Sequence, residues 1–198
     1  VYDKLAVMQS AFPADMTAEI LYDTTRYVNV SLVEVVKTLV VALLLVILVV
    51  FVFLGDWRST LIPAIAIPVS LIGTFAVMLA LGMSINTVSL FAMILAIGVV
   101  VDDAIVVVEN VQRLMAEEGL TPKEAAIKAM AQVSGPIVAT TLVLMAVFVP
   151  VAMMPGITGQ MYSEFAVTIS VAVLISSINA LSLSPALAAT ILRPYQES

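Results

Sequence analysis

Two adjacent carboxylates, Asp102 and Asp103, stand in a long aliphatic stretch, "GVVVDDAIVVVEN". The nearest charged residue before them is Arg58, and the nearest after them is Glu109. An apolar environment disfavours the ionised carboxyl group, and two neighbouring carboxylates resist being ionised together. Such a pair can take up and release a proton near neutral pH when a cation moves toward it or away from it. The pair is therefore a candidate proton relay.

The composition predicts an integral membrane protein. Of the 198 residues, 62% are hydrophobic and 11% are charged, and the mean hydropathy is +1.16, whereas a soluble domain is about half apolar and a quarter charged. The chain has no cysteine and no histidine, which excludes disulfides, thiol chemistry and zinc sites built on these residues. A net charge of −6 without a Lys/Arg cluster argues against a nucleic-acid partner. We expect no cofactor and no metal, with protons as the coupling ion.

Uncharged runs divide the chain into an all-α bundle of about five transmembrane helices. Polar turns such as "GDWRS" and "LGMSINT" separate the runs. After the third span, Gly119 ends a helix, and Thr121, Pro122 and Glu124 form the capping box of the next one. The predicted spans are residues 31–54, 60–81, 87–115, 129–154 and 164–192.

The first 30 residues differ from the bundle, which we assign to residues 31–198. Leu5, Met8 and Phe12 recur at helical spacing until Pro13 stops the helix, and "AEILYD" (residues 18–23) could be a short strand. This piece is too small to fold alone, so it is expected to be the remnant of a water-soluble domain. The chain starts with valine and has no signal peptide, so we expect it to be part of a longer protein.

The distribution of Lys and Arg predicts the orientation. The ends joining spans one to two and three to four, together with the end of span five, carry five basic residues, and the opposite ends carry three. The positive-inside rule then places the N-terminal piece outside and the C-terminus in the cytoplasm.

Two carboxylates inside the membrane require an explanation. Asp102 lies about 16 Å from Arg113 by helical rise, hence within the hydrocarbon layer, where one acidic residue costs roughly 2.5–3.5 kcal/mol on insertion scales. Of the eight Lys and Arg residues, only Lys37 and Arg113 fall within the predicted spans, both toward the interface and away from the aspartates. Either the pair is protonated, or its cation lies on another segment. The alternative is a polar pair that serves packing specificity alone.

At this point the sequence resembles a known family. "SINTVSLFAMILAIGVVVDDAIVVVENVQRLMAEEGLTPKEAA" resembles the fourth transmembrane helix and following loop of resistance-nodulation-division efflux pumps, and "YDTT", "EVVKTL", "WRSTLIPAIAIPVSLIGTF" and "LSPALAATILRP" agree with it. The resemblance implies transmembrane helices two to six of the N-terminal half, with residues 1–30 as the last strip of a periplasmic porter subdomain. The adjacent aspartates resemble the hydrophobe/amphiphile class rather than the metal-ion class, which has one aspartate here.

The resemblance implies a proton-driven drug/proton antiporter of the bacterial inner membrane, not an enzyme. It assigns Asp102 and Asp103 to half of the proton relay and places their lysine and arginine partners in the C-terminal half of the same pump. It also implies a homotrimer, a periplasmic adaptor, an outer-membrane channel and hydrophobic drugs as substrates. These 198 residues alone are not expected to transport.

Two other functions remain as alternatives. A related membrane protein of the superfamily that moves lipids or assists protein export shares the fold and an intramembrane aspartate. An intramembrane aspartyl protease needs aspartates on two different helices, and here both are on one span.

Four further features have both a functional and a structural interpretation. Gly98, four residues before Asp102, can permit close helix approach at the relay or serve packing alone. Glu109 and Arg113 are spaced as an i,i+4 ion pair near the end of the span, although Glu109 could also belong to the relay.

In the last two spans, Asn179, Ser182 and Ser184 could line a wet path, although such side chains more often bond backbone carbonyls or neighbouring helices. Pro150 and Pro185 could be hinges, although membrane helices tolerate proline widely.

Overall fold

The structure is a computed structural model that describes residues 2–9, 11–13 and 24–193. Within these ranges the chain forms seven α-helices and no strand, so the predicted all-α fold is confirmed. The strand predicted at residues 18–23 lies outside the described residues. The helices are α1 (Tyr2–Gln9), α2 (Thr24–Leu54), α3 (Trp57–Ala80), α4 (Thr87–Glu118), α5 (Pro122–Ala152), α6 (Gly156–Leu181) and α7 (Leu183–Ile191).

In the described part of the chain, five helical segments are long and apolar enough to cross a membrane, which confirms the predicted number of spans. Helices α2 to α5 each supply one, and α6 with α7 supplies the fifth. Several helices begin earlier than the predicted spans: α2 at Thr24, α5 at Pro122 and α6 at Gly156. A helix continues past the hydrocarbon layer as long as its backbone bonds form, so charge-free runs underestimate its length. The domain division at residue 30 stays a prediction.

The fifth span is not the continuous helix expected over residues 164–192. Helix α6 ends at Leu181, Ser182 leaves the helical conformation at φ −123° and ψ −64°, and α7 starts at Leu183. Pro185 has no N–H to donate to the carbonyl of Leu181, which interrupts the helix at this point. The same proline is tolerated in the first turn of α7, where no such donor is needed.

Helix α4 is the centre of the bundle. It contacts α2, α3, α5, α6 and α7. In the most apolar stretch of α4, half of the residues are buried inside the bundle, and the same share is buried in the α6–α7 segment. The corresponding share is 11% for α2 and for α5. Buried Val107, Val108 and Val111 of α4 pack with Ala125 and Ala129 of α5 in the main core cluster. Helices α4 and α6 therefore form the interior of this chain, while α2 and α5 present apolar faces outward.

The ends of α3, α4 and α5 are fixed by capping. Asp56 accepts hydrogen bonds from the backbone of the first turn of α3, and capping boxes start α4 at Asn86 and α5 at Thr121. Gly119 ends α4 with φ +64°, a left-handed conformation that favours glycine. The predicted Gly119 stop and Thr121 capping box are both confirmed. These caps set where α4 begins and ends, and so the depth of its aspartates.

Candidate functional site

Asp102 and Asp103 lie at the midpoint of α4. A helix of this length spans about 48 Å, so both residues are more than 20 Å from either of its ends by helical rise. Because successive residues on a helix are rotated by about 100°, the two carboxylates point to different neighbours. The sequence pair is thus split between two helix interfaces.

Asp102 is exposed and opens on a groove between α4 and α5. The groove has a volume of about 630 Å³, and its walls are apolar except for Asp102 and Thr140. Its residues are Gly98, Val99, Val101, Asp102 and Ile105 of α4 and Ala139, Thr140, Val143 and Leu144 of α5. A side chain that entered this groove would meet the Asp102 carboxylate halfway along α4.

Asp103 is half-buried and faces α6. The hydroxyl of buried Ser176 lies 3.1 Å from Asp103 Oδ2 and also 3.1 Å from the carbonyl oxygen of Val100. A serine hydroxyl has one hydrogen but can also accept. It can donate to an ionised Asp103, or donate to Val100 while accepting from a protonated Asp103. Ser176 therefore accommodates both protonation states of this carboxyl group.

Further hydroxyl groups surround Asp103. Ser177 follows Ser176 on α6, and its hydroxyl bonds the carbonyl of Val173 and is paired with that of Thr141 on α5. A small cavity of about 110 Å³ touches both aspartates together with Thr140 and Thr141. A cavity of this size with several polar groups can hold water, so the site has the surroundings that proton exchange requires.

A positive charge is missing from the site as far as the structure describes it. Three ion pairs occur in the described ranges, Lys37–Glu34, Arg113–Glu117 and Lys128–Glu118, and neither aspartate takes part in any of them. The same ranges hold no cluster of three or more acidic side chains arranged to bind a metal ion. The aspartates therefore have hydroxyl neighbours but no counter-ion here.

Gly98 opens on the groove rather than on a neighbouring helix of this chain. A Cβ atom placed at Gly98 would meet no atom within 4 Å, whereas one at Gly73 of α3 would lie 3.1 Å from Ile175 of α6. The predicted role of Gly98 in close helix approach stays a prediction, and a helix that approached it would have to enter the groove.

The predicted pair between Glu109 and Arg113 is wrong. Arg113 pairs instead with Glu117 at 2.9 Å, and its other terminal nitrogen donates to Asn110 and to Gln132 of α5. These two amides turn the guanidinium toward α5. Glu109 faces α2 instead, where it lines a separate cavity with Gln112.

The polar residues of the fifth span bond mainly to protein groups. Asn179 donates to Ser70 of α3 at 2.8 Å, and Ser182 donates to the carbonyl of Ile178. Ser184 is fully buried, and its hydroxyl has no hydrogen-bond partner within the described part of the chain. The structural interpretation thus holds for Asn179 and Ser182, and Ser176, one turn earlier on α6, is the polar residue that reaches the aspartates. In the sequence, the polar stretch of α6 that contains Ser176 was the feature that could have indicated a role at the site.

Comparisons with known proteins agree with the sequence resemblance. The family model of AcrB/AcrD/AcrF matches residues 1–198. The multidrug export protein AcrF of Escherichia coli (strain K12) is 53% identical over 96% of this chain and 18% of its own length. The multidrug resistance protein MdtF of the same strain is 49% identical over 100% of this chain and 19% of its own length.

A third relative, the toluene efflux pump membrane transporter TtgB of Pseudomonas putida, is 48% identical over 96% of this chain and 18% of its own length. The chain therefore spans about a fifth of the length of the curated relatives it matches. With a family model that covers every residue and relatives near 50% identity, this chain belongs to the AcrB/AcrD/AcrF family of the resistance-nodulation-division efflux transporters.

Proposed function

We propose that Asp102 and Asp103 form half of the proton relay of a drug/proton antiporter that exports hydrophobic or amphiphilic compounds. One observation carries this proposal: two carboxylates lie at the midpoint of the central membrane helix, and one of them faces an open groove. Intramembrane acidic residues are costly and mark ion pathways by default. The names of AcrF, MdtF and TtgB, which refer to multidrug export, multidrug resistance and toluene efflux, support this substrate class.

The geometry suggests how the relay works. A lysine or arginine from the C-terminal half of the same pump enters the groove and approaches Asp102. Its charge favours ionised carboxylates, so protons leave; when it withdraws, protons bind again. Ser176 keeps Asp103 hydrogen-bonded in both states. Each proton that crosses a 100 mV potential releases about 2.3 kcal/mol, and the moving cation converts that energy into a conformational change.

The 198 residues of this chain supply only part of what proton-coupled transport requires. In the predicted spans, lysine and arginine occur only toward the ends, at Lys37 and Arg113, and not beside the aspartates, and alternating access requires a second repeat or domain to move against. The 198 residues alone are therefore expected to insert as helices without transporting. A homotrimer with a periplasmic adaptor and an outer-membrane channel is proposed from the family resemblance, and the activity is transport rather than enzymatic catalysis.

Drug export is favoured over the alternatives. A lipid transporter or protein-export factor of the same superfamily would share the helix bundle, but the relatives at about 50% identity are named for multidrug export, multidrug resistance and toluene efflux. An intramembrane aspartyl protease would need a second aspartate-bearing helix, and both Asp102 and Asp103 lie on α4.

The relay is tested by Asp102→Asn and Asp103→Asn in the full-length transporter. We expect either variant to abolish efflux, measured as drug susceptibility of cells at matched expression, because an amide cannot carry the proton. Glu118→Gln is the matched control, since it removes the same charge from the exposed end of the same helix. Normal resistance in either aspartate variant, or an equal loss in the control, would contradict the relay.

We propose the orientation expected from Lys and Arg: a bacterial inner-membrane protein with the N-terminal piece periplasmic and the C-terminus cytoplasmic. Because the chain has no cysteine, single cysteines can be placed at three exposed positions. A membrane-impermeant maleimide added to intact cells with a permeable outer membrane should label Ser84→Cys and Thr158→Cys. Ala116→Cys should react after the inner membrane is opened, and the reverse pattern would contradict this orientation.

A further inference from the structure

A polar cluster joins α4 and α5 between Asp103 and the α4–α5 turn. Asn110 Nδ2 donates to Gln132 Oε1 at 3.0 Å, and Arg113 Nη2 donates to Asn110 Oδ1 at 2.7 Å and to Gln132 Oε1 at 3.1 Å. The guanidinium is further held by Glu117. Each side-chain oxygen of the two amides therefore accepts at least one hydrogen bond from within the cluster.

The cluster lies in line with the aspartate. Asp103 and Asn110 are seven residues apart on α4, two helical turns on the same face, or about 10.5 Å. On α5, Pro136 borders the small cavity at Asp103, and Gln132 is one turn closer to the α4–α5 turn, about 6 Å by helical rise. The cavity and the cluster are therefore separated by a distance that roughly two or three hydrogen-bonded water molecules would bridge once α4 and α5 part.

Helix α5 is weakened at this point. Pro136 lies inside α5 and has no N–H, so the backbone carbonyl of Gln132 lacks the intrahelical donor that it would otherwise have. Helix backbone next to a proline opens more readily, and a freed carbonyl can bind water. Both Gln132 and Pro136 are exposed on the face of α5 that continues into the groove. The weakened turn thus sits between the cluster and the cavity.

We propose that Asn110, Arg113 and Gln132 form a gate on the route by which protons pass between Asp103 and the aqueous side at the α4–α5 turn. In the closed arrangement the amides and the guanidinium bond one another across α4 and α5, and no line of water runs between them to Asp103. When α5 opens at Pro136, the cluster separates and water connects Asp103 to solvent through the seam. The inference rests on the proposed relay and adds to it the route and the residues that control it.

A polar cluster that only stabilises the packing of α4 against α5 would make the same hydrogen bonds. Another polar contact between these two helices provides a control for that structural role. Lys128 of α5 and Glu118 of α4 also connect the two helices, farther from Asp103 and outside the line from the cavity. Breaking this pair removes a connection of the hairpin without touching the route. Lys128→Gln is therefore the matched variant for changes in the cluster.

The test uses the full-length transporter in liposomes that contain a pH-sensitive dye. With a pH gradient and no substrate, the double variant Asn110→Ala with Gln132→Ala should raise passive proton entry about tenfold, and adding Asp103→Asn should return it to the wild-type level. Lys128→Gln should leave it unchanged. Unchanged entry in the double variant, equal entry in Lys128→Gln, or entry that persists in the triple variant would each overturn the gate.

A second variant avoids any loss of folding. Pro136→Ala restores the donor for the Gln132 carbonyl and favours the closed helix. We expect proton-coupled drug efflux to slow several-fold while the thermal midpoint of unfolding stays the same or rises. Wild-type efflux in this variant would contradict the gate. The relay itself fails on a different result, normal efflux in Asp103→Asn with the gate intact.

Discussion

Asp102 and Asp103 are chain neighbours in two different environments. On the Asp103 side, α4 packs closely on α6: Ala96 is fully buried in a cluster with Val100 and Ala172, and Ser176 reaches the carboxylate. On the Asp102 side, α4 borders an open groove. The difference suggests a division of roles. One face of α4 holds a carboxyl group in place, and the other leaves a carboxyl group free to meet a partner.

The largest effect on stability is expected from a larger side chain in the close α4–α6 contact. Ala96→Leu would force extra carbon atoms into a site with no exposed surface, which typically costs about 1 to 3 kcal/mol of stability. We expect a lower yield of folded full-length transporter and a lower thermal midpoint of unfolding, measured by size-exclusion chromatography of samples heated to a series of temperatures. A wild-type midpoint would show that the α4–α6 seam can give way.

Gly98→Ala is the counterpart on the groove side. A Cβ atom there meets nothing within 4 Å in this chain, and alanine is favoured over glycine in a helix by about 0.5 to 1 kcal/mol. The thermal midpoint should therefore not fall. Lower efflux at an unchanged midpoint would indicate that a helix from another part of the transporter approaches Gly98 closely.

A smaller effect is expected from Ser176→Ala, which sharpens the comparison at the aspartates themselves. It removes the hydroxyl that serves Asp103 in both protonation states. A net loss of about 1 kcal/mol corresponds to roughly fivefold slower efflux. Because Ser176 bonds Asp103 and Asp102 faces the groove instead, this loss would act through Asp103.

Thr168→Val is the control for that serine. It also removes a buried hydroxyl from α6, one that bonds the helix carbonyl of Glu164, and keeps the side-chain shape. Efflux should stay near the wild-type rate. An equal fall in both variants would attribute the Ser176 effect to loss of packing in α6 rather than to the relay.

The fold was largely predictable from the sequence because its signals are local. Uncharged runs give the spans, and Thr121 with Glu124 gives a helix start through bonds within four residues. The break at Ser182 was missed because Pro185 was considered as a hinge within a continuous span. The missing donor to Leu181 acts one turn before the proline, so the helix ends earlier than its apolar pattern does.

The sequence predicted which residues form the candidate site but not which neighbouring helix each of them faces. Two aspartates in an apolar run are easily recognised, yet the sequence does not tell which one faces α6 and which one faces the groove. That depends on how α4 is rotated against its neighbours. Arg113 shows the same limit: Glu109 and Glu117 are equally spaced from it along α4, and Asn110 with Gln132 of α5 decides the outcome.

The carboxylates at the midpoint of α4 also bear on how the protein is made. On insertion scales two acidic residues cost about 5 to 7 kcal/mol, and each Leu, Ile, Phe or Val near the helix centre recovers about 0.3 to 0.6 kcal/mol. The apolar residues of α4 thus bring its transfer from translocon to lipid close to balance, while α2 has no charge between Lys37 and Asp56. During synthesis α2 and α3 emerge first, and their contacts with α4 give it a surface on which to leave the translocon.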